Sequence, residues 1–497
     1  MSKYHFSKSR YCYGIQCPKM LWLKKNMPEE FDDSVMNQAI LSAGNDVGDL
    51  AMGLFGDYTE VPYSESISEM IPATQKLIDD GVVNICEASF SYDGCFCSVD
   101  ILRNLGGNKV ELYEVKSSTE VKDIYKEDVS YQNWVLTKLG FDVQKVCLVH
   151  INNQYVRHGE LELDKLFTIV DLTDVAKSKL SEVEDNIAKF REYLEQETEP
   201  ECKVGSQCSS PYDCGYWSHC AVDMPEDGEP TVWSISRLRD KQWYYDNGYI
   251  TFQQLYDAGV LKGNYLQQVE VELKNLPPQI KPKEVSKFLE TLSYPLYFLD
   301  FETFNPAIPL YDESSPYQQI VFQYSLHYIE KEGGELKHKE CLAYPGTDPR
   351  RQIAEQLCKD IPLDVCTTAY NMGFEKGKIR DLAVLYLDLH DHLMNIHDNI
   401  KDIMIPFQKR WYYTKEMQGS YSIKYVLPAL FPDDPSLNYH NLEGVHNGGE
   451  ASNTFLAMQK MDKEELEKWR EHLLRYCELD TFAMVKVLEK LREVGKC

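Results

Sequence analysis

The stretch Lys109-Val-Glu-Leu-Tyr-Glu114-Val-Lys116, read with Cys97-Ser-Val-Asp100-Ile-Leu just before it, decides the fold of the first half of the chain. Both segments are rich in β-branched residues, and Asn104-Leu-Gly-Gly-Asn108 separates them, which predicts a hairpin with a Gly/Asn turn. Such a hairpin places Asp100 near Glu114, and strand alternation points Glu114 and Lys116 to the same face. Two carboxylates able to hold a divalent cation beside an amine suit hydrolysis of a phosphodiester. The cation stabilises charge on the phosphoryl group and activates water, and the lysine helps position that water. The competing reading is a surface hairpin whose Glu and Lys are merely solvated, since charged residues are common on open sheet faces.

Outward from the hairpin, Ile85-Cys-Glu87-Ala-Ser-Phe90 and Lys145-Val-Cys-Leu-Val-His-Ile151 read as strands. Asp128-Val-Ser-Tyr-Gln132-Asn-Trp-Val-Leu136 begins an amphipathic helix, so strands flanked by helices predict an α/β core. Residues 3–30 form a loop leading into a short helix, with Pro18 suited to its first turn. Residues 34–55 are helical in pattern, and a long charged helix is expected over about 174–196.

That helix leads to Cys202 and then to Cys208-x5-Cys214-x5-Cys220, three thiols within a short stretch broken by Pro and Gly. Three ligands need a fourth, and Cys17 is the choice, with Cys12 and Cys202 as rivals. Four thiolates suit an iron–sulphur cluster, and a tetrahedral zinc would also accept them. The gaps of five residues differ from those of common zinc ribbons, which favours iron–sulphur over zinc. Cys86, Cys95, Cys97 and Cys147 fall in strand patterns and read as core.

Cys17-Pro-Lys-Met-Leu-Trp-Leu23, Asp100, Glu114-Val-Lys116, Gln132 and the three late cysteines together resemble the RecB-type PD-(D/E)xK nucleases with an iron–sulphur staple. That group includes CRISPR-associated members and helicase-nuclease subunits, and the resemblance covers residues 5–220. It implies that Asp100 and Glu114 bind Mg²⁺ or Mn²⁺, that Lys116 assists the nucleophile, and that Gln132 begins a Gln-centred helix motif. It further implies a [4Fe–4S] cluster on one early and three late cysteines, tying the ends of the domain together. The chain departs from the pattern at Gly44-Asn-Asp-Val-Gly48, which lacks the family's frequent metal-binding His, and at Leu136, where a Tyr is usual. Glu87 is the carboxylate available to compensate for the His.

Farther on, Asp223-Met-Pro-Glu-Asp-Gly-Glu-Pro230 has linker composition, and short helices are expected up to about residue 290, read as a plain helical spacer. Tyr294-Pro-Leu-Tyr-Phe-Leu-Asp300-Phe-Glu302 is an apolar strand ending in Asp-x-Glu, with both carboxylates on one face. Gln319–Tyr328 is the next strand by pattern, and Val365 to Glu375 reads as strand, turn and helix start. Tyr476 and Asp480, at i and i+4 of a helical pattern, share a face. Acidic groups from such distant places can converge on two cations, with a tyrosine hydroxyl orienting water.

This second half resembles the DEDDy class of ribonuclease-H-like 3′→5′ exonucleases. Asp300 and Glu302 match the first motif, Asn371-x-x-Phe-Glu375 the second, and Tyr476-x3-Asp480 the third, with Glu375 where Asp is usual. Gly419-Ser-Tyr-Ser-Ile-Lys424 also matches a segment common in these enzymes, and His390, His392 and His397 read as surface residues. The two halves together are similar to a bacterial family pairing a RecB-type nuclease with a ribonuclease-H-like domain.

At 497 residues, 43% hydrophobic and 26% charged, the chain is of soluble globular composition and long enough for about three domains. It has no apolar run near the ~20 residues of a membrane span, and its first residues lack a secretory h-region, so a cytoplasmic location without membrane association is expected. Fifteen cysteines without an export signal favour thiols or metal ligands over disulfides. A net charge of −27 runs against backbone binding to nucleic acid, yet two stretches are basic and aromatic. Residues 1–28 carry Lys8, Arg10, Lys19, Lys24 and Lys25, and 401–425 carry Lys409, Arg410, Lys415 and Lys424 around Trp411-Tyr-Tyr413. Either could track a single strand. No GxxxxGK[ST] loop occurs, so ATP is not expected.

The expectation is therefore an α/β protein with two nuclease domains. A PD-(D/E)xK restriction-endonuclease-like core spans 1–220, a helical connector 221–290, and a ribonuclease-H-like mixed sheet 291–497. The expected substrate is DNA with free ends or single strands. Rival readings are a nucleic-acid-binding or scaffolding protein with a degenerate site, and an RNA-processing exonuclease.

Overall fold

The computed structural model describes residues 6–35, 38–221 and 229–496. The chain divides into two compact units, Met1–Asp223 with Pro306–Tyr317, and Met224–Asn305 with Gln318–Cys497. Both are mixed α/β.

Unit 1 is built on a seven-stranded sheet of β1 (Phe6–Ser7), β2 (Thr59–Glu60), β3 (Asn84–Tyr92), β4 (Cys95–Gly106), β5 (Lys109–Lys116), β6 (Asp142–Ile151) and β7 (Phe167–Asp171). The path runs β2-β3-β4-β5-β6-β7, and β1 pairs in parallel with the start of β4. The predicted hairpin is β4–β5. Gly107 and Asn108 take φ of 59° and 63° at its tip, the two positive values that a tight turn matching strand twist requires. Strands β5 and β6 are parallel, and the helix Asp123–Lys138 crosses between them, burying every side chain from Asp128 to Leu136. The helix Lys8–Gln16 packs against this crossover helix and against Leu180–Glu195. The charged helix expected over 174–196 breaks at Lys179 into Thr173–Ser178 and Leu180–Glu195. Cys86, Cys95, Cys97 and Cys147 are buried in the sheet.

Unit 2 holds a five-stranded sheet in the order β11-β10-β9-β12-β13. Its strands are β9 (Leu296–Phe304), β10 (Ile320–Ile329), β11 (Leu336–Leu342), β12 (Cys366–Ala369) and β13 (Ile400–Asp402), and a small pair joins β8 (Gln279–Ile280) to β14 (Tyr412–Tyr413). The strand β10 runs antiparallel to both β9 and β11, and β12 and β13 add in parallel beside β9. The long helix Lys463–Gly495 lies across β9 and β10.

Two expectations about organisation change. The spacer predicted between the halves is part of unit 2: Val232, Ile235, Phe252, Leu255, Leu261 and Val269 form a core of their own, and Gln268 Nε2 donates to Gln418 O at 3.1 Å. The linker predicted at 223–230 lies almost wholly outside the described residues. The second change is that residues 306–317, expected in the C-terminal domain, belong to unit 1. Arg157 Nη1 donates to the carbonyls of Pro309 and Leu310, Gly159 N donates to Asp312 Oδ1 at 2.8 Å, and Ala307 joins the cluster around Tyr155.

Gly14 sits where the first helix meets Phe190, and an added Cβ would lie 2.6 Å from that ring. Phe190 is itself buried, so it has little room to yield. Gly14→Ala should destabilise unit 1 by about 1–3 kcal/mol, read as a lower urea midpoint, despite alanine's better helix propensity.

Candidate functional site

In unit 1 the register pair Ile101–Tyr113 sets Asp100 beside Glu114. Asp100 Oδ2 accepts the Val115 N–H at 2.6 Å, which fixes the carboxylate against the neighbouring strand. Glu114 is 1% exposed and engaged on both oxygens. Its Oε1 accepts from Lys116 Nζ at 2.6 Å and from Lys8 Nζ at 2.5 Å, and its Oε2 accepts from Gln132 Nε2 at 2.7 Å. The structure thus brings Asp100, Glu114, Lys116 and Gln132 together.

Two participants escaped the sequence reading, and a third was named there only in passing. Asp128, one helical turn before Gln132, accepts from Lys116 at 2.7 Å and from Gln132 at 2.9 Å. An Asp and a Gln at i, i+4 on a helix face otherwise bound for the core was the available signal. Lys8 gave none, lying 106 residues from Glu114. Glu87, named only as a substitute for the missing His, lies on β3 between the pairs Cys86–Ile101 and Ala88–Val99, hence opposite Asp100. It takes φ of 55°, unusual for a residue with a Cβ, and accepts from Ser98 Oγ at 3.0 Å.

The electrostatics follow from burial among like charges. Burial, then the neighbouring Asp100 and Asp128, push Glu114 up to about 7. Asp128 is buried too, but the ammonium groups of Lys116 and Lys8 outweigh that and hold it well below the usual carboxylate range. Gln132 Oε1 is buried without a hydrogen-bond partner. Asp100 and Glu114, side by side on paired strands, are the two carboxylates that would hold a cation here.

A cavity of about 560 Å³ opens from this pocket. Lys8, Lys24 and Lys116 line it together with Tyr13, Phe31, Tyr125 and Tyr212. The first basic and aromatic stretch therefore lines a groove in part. In the second, Arg410 is buried, donates to Gly419 O at 2.8 Å and covers the Tyr413 ring, and Lys415 pairs with Glu272, while Lys409 and Lys424 are exposed. Its aromatics are interior because Tyr412 and Tyr413 form β14.

Cys17, Cys208, Cys214 and Cys220 line one small cavity, as free thiols, and Cys202 lines it with them. Cys17 and Cys202 have their sulphurs 3.6 Å apart. Of the two rival ligands, Cys12 lies away in the groove. The signal for Cys202 was available, since Cys202, Cys208, Cys214 and Cys220 recur every six residues. Burial pushes Cys17 up to about 12 and Cys220 up to about 11. Five thiols around one cavity fit a thiolate-bound metal or cluster, whose binding would release protons.

In unit 2, β9 carries Asp300 and Glu302, the helix Gly373–Leu385 begins beside Glu375, and the long helix supplies Tyr476 and Asp480. Mutual electrostatic influence joins all four carboxylates. Burial first, then this repulsion, raises Asp300 and Glu302 well above the usual carboxylate range; burial lifts Glu375 to about 8, with Asp402 and Asp480 adding to it. Asp480 rises to about 6 through burial, moderated by hydrogen bonds from Tyr439 and Tyr476 and by Lys424. Glu375 Oε2 is buried without a hydrogen-bond partner, an orphan that fits a cation.

Tyr439 and Asp402 were not anticipated. Tyr439 donates to Asp480 Oδ1 at 2.7 Å, and Asp402 accepts the backbone N–H groups of Asn371, Met372 and Met404. Asn371 has φ of 74°, a conformation Asn tolerates better than most, so its place in the motif is that of a turn residue. The histidine reading needs one correction. His397 is buried between Arg380 and Asp398, because its helix packs on Gly373–Leu385.

A family described as a domain of unknown function (DUF2779) matches residues 297–422, a stretch with Asp300, Glu302 and Glu375 that ends before Tyr476. The chain is similar to "Uncharacterized protein UU173" of Ureaplasma parvum, 28% identical over 247 residues, which are 45% of this chain and 35% of that protein. It is also similar to "Uncharacterized protein MG366" of Mycoplasma genitalium, 24% identical over 215 residues, which are 40% and 32%. The chain spans about a third of the length of these curated relatives. No solved structure matches it. No described helix is long and apolar enough to cross a membrane.

The raised carboxylates make stability fall with pH. A carboxyl whose folded pKa exceeds its unfolded value binds more protons when folded, so its contribution is complete below about pH 4 and is lost as pH rises through the folded value. In EDTA the melting temperature should decline between about pH 5 and pH 8.5, as Asp480 near 6 and Glu375 near 8 lose protons. Glu375→Gln should flatten the upper part of that decline; an equally steep profile in the variant would show that Glu375 does not carry it.

Proposed function

We propose that the protein is a metal-dependent nuclease with two phosphodiester-hydrolysing sites, acting on DNA at free ends or single strands. Unit 1 is read as a PD-(D/E)xK site stapled by a [4Fe–4S] cluster and unit 2 as a DEDDy 3′→5′ exonuclease. The observation that carries this reading is that acidic side chains from distant segments converge twice, around Glu114 in unit 1 and around Asp300 and Glu302 in unit 2. The antiparallel β9-β10-β11 set extended by parallel β12 and β13 also agrees with a ribonuclease-H-like sheet.

Bound Mg²⁺ or Mn²⁺ would supply Lewis acidity and a more acidic water. The chain's own groups do the rest. Gln132 holds Glu114 by Oε2, so the carboxylate cannot rotate, and Asp128 holds Lys116 at the pocket where water would be positioned. In unit 2 the Tyr439 hydroxyl fixes Asp480, and Tyr476, on the same helix face, is placed to orient water. The DUF2779 match and the similarity to mycoplasmal proteins neither add to nor subtract from this chemistry.

The test is digestion of end-labelled single-stranded DNA in Mg²⁺ or Mn²⁺, with Asp100→Ala and Asp300→Ala made singly and RNA of the same sequence as competitor. Each substitution should remove one product series, lowering its rate at least about 100-fold. Identical products from wild type and both variants would indicate a contaminant and leave a nucleic-acid-binding protein. Preferential loss of the RNA would make it an RNA exonuclease. Separately, anaerobically purified protein should absorb at roughly 400 nm and lose that band in Cys214→Ser; a colourless protein with stoichiometric zinc would replace the cluster with zinc.

A further inference from the structure

Lys8 is the first residue of its helix, and its backbone is held from three sides. Ser7 caps the helix by accepting Arg10 N–H, Phe6 and Ser7 pair with Cys95 and Phe96, and Tyr131 OH donates to Phe6 O at 2.9 Å. The side chain then reaches into the carboxylate pocket, with Nζ 2.5 Å from Glu114, 3.9 Å from Asp100 and 4.0 Å from Asp128.

We propose that Lys8 is the pocket's resident counter-cation: it occupies Glu114 Oε1 when no divalent ion is present and yields that oxygen when one binds, so it sets the ion concentration at which unit 1 loads. This rests on reading unit 1 as a divalent-cation site. A cation held by Asp100 and Glu114 needs an oxygen from each. Glu114 Oε2 is committed to Gln132, and Oε1 is shared by the two lysines. Lys116 is tied to Asp128 as well, at 2.7 Å, whereas Lys8 has its other two carboxylates only at 3.9 and 4.0 Å. Lys8 is therefore the one that can leave. A divalent ion on Asp100 and Glu114 would compete directly with Lys8 for Glu114 Oε1, the oxygen the two ammonium groups share. The Lys8 side chain lines the groove and is 24% exposed, so the freed ammonium has a way out to where a strand's phosphates would run.

Mn²⁺ binding to the full-length protein, followed by electron paramagnetic resonance of the free ion, tests this without turnover. Mn²⁺ suits oxygen ligands, which keeps it off the cysteine cavity, and the part of the binding abolished by Glu114→Gln, seen as a higher free-ion signal, belongs to unit 1. Lys8→Met should tighten that part at least about tenfold, while Lys8→Arg, which keeps the charge, should stay close to wild type. In the wild type, Mn²⁺ should also increase labelling of Lys8 by an amine-reactive reagent relative to Lys116, a readout that needs no variant. Unchanged or weaker binding in Lys8→Met, or unchanged labelling, overturns the proposal and leaves the nuclease reading standing. Absence of Glu114-dependent binding from both wild type and Lys8→Met overturns both.

Discussion

Glu114 has almost no contact with water, and a carboxylate in that position stays ionised only if positive charge and hydrogen-bond donors surround it. The rest of unit 1 can be read as the means of supplying them. The crossover helix delivers Gln132, strand alternation returns Lys116, and the helix Lys8–Gln16 contributes Lys8, against the like charges of Asp100 and Asp128. Each donor comes from a different element, so these elements have to be packed before the carboxylate is satisfied.

Unit 2 meets the same difficulty with fewer cations. Asp300, Glu302, Glu375 and Asp480 crowd together with Lys424 as the cation that offsets several of them, and neutral tyrosine hydroxyls share the task at Asp480. With little positive charge nearby, burial raises these carboxyls, whereas Asp128, beside two ammonium groups, sits low. Two ammonium groups hold Asp128 low in the first pocket, while Glu114 there, like Glu375 and Asp480 in the second, is raised by burial.

What could be read from the sequence was what is local. Glu114 with Lys116, and Asp300 with Glu302, are two residues apart on strands, and Tyr476 with Asp480 are one turn apart on a helix; fixed periodicities settle such relations without tertiary knowledge. Asp128 and Cys202 were also legible, one through its spacing from Gln132 and the other through a six-residue recurrence of cysteine. Lys8 was not, because its place depends on a two-residue strand docking on β4. The basic run around Trp411 was legible only in part. Composition cannot tell an arginine that stacks inside on Tyr413 from one on a surface. Linear order misled at 306–317, since chain proximity to β9 says nothing about which core those residues join.

That last segment has a consequence for anyone wishing to take the protein apart. The polypeptide changes unit near residue 223, again after Asn305 and once more after Tyr317, so its halves are not two beads on one string. A single cut near residue 223 would leave the N-terminal product without the piece that seats Ala307 beside Tyr155 and receives Arg157, while the C-terminal product would keep it as a loop stripped of its partners. A faithful excision of the first half would have to graft those twelve residues back on, and of the second, replace them with a short bridge from Asn305 to Gln318.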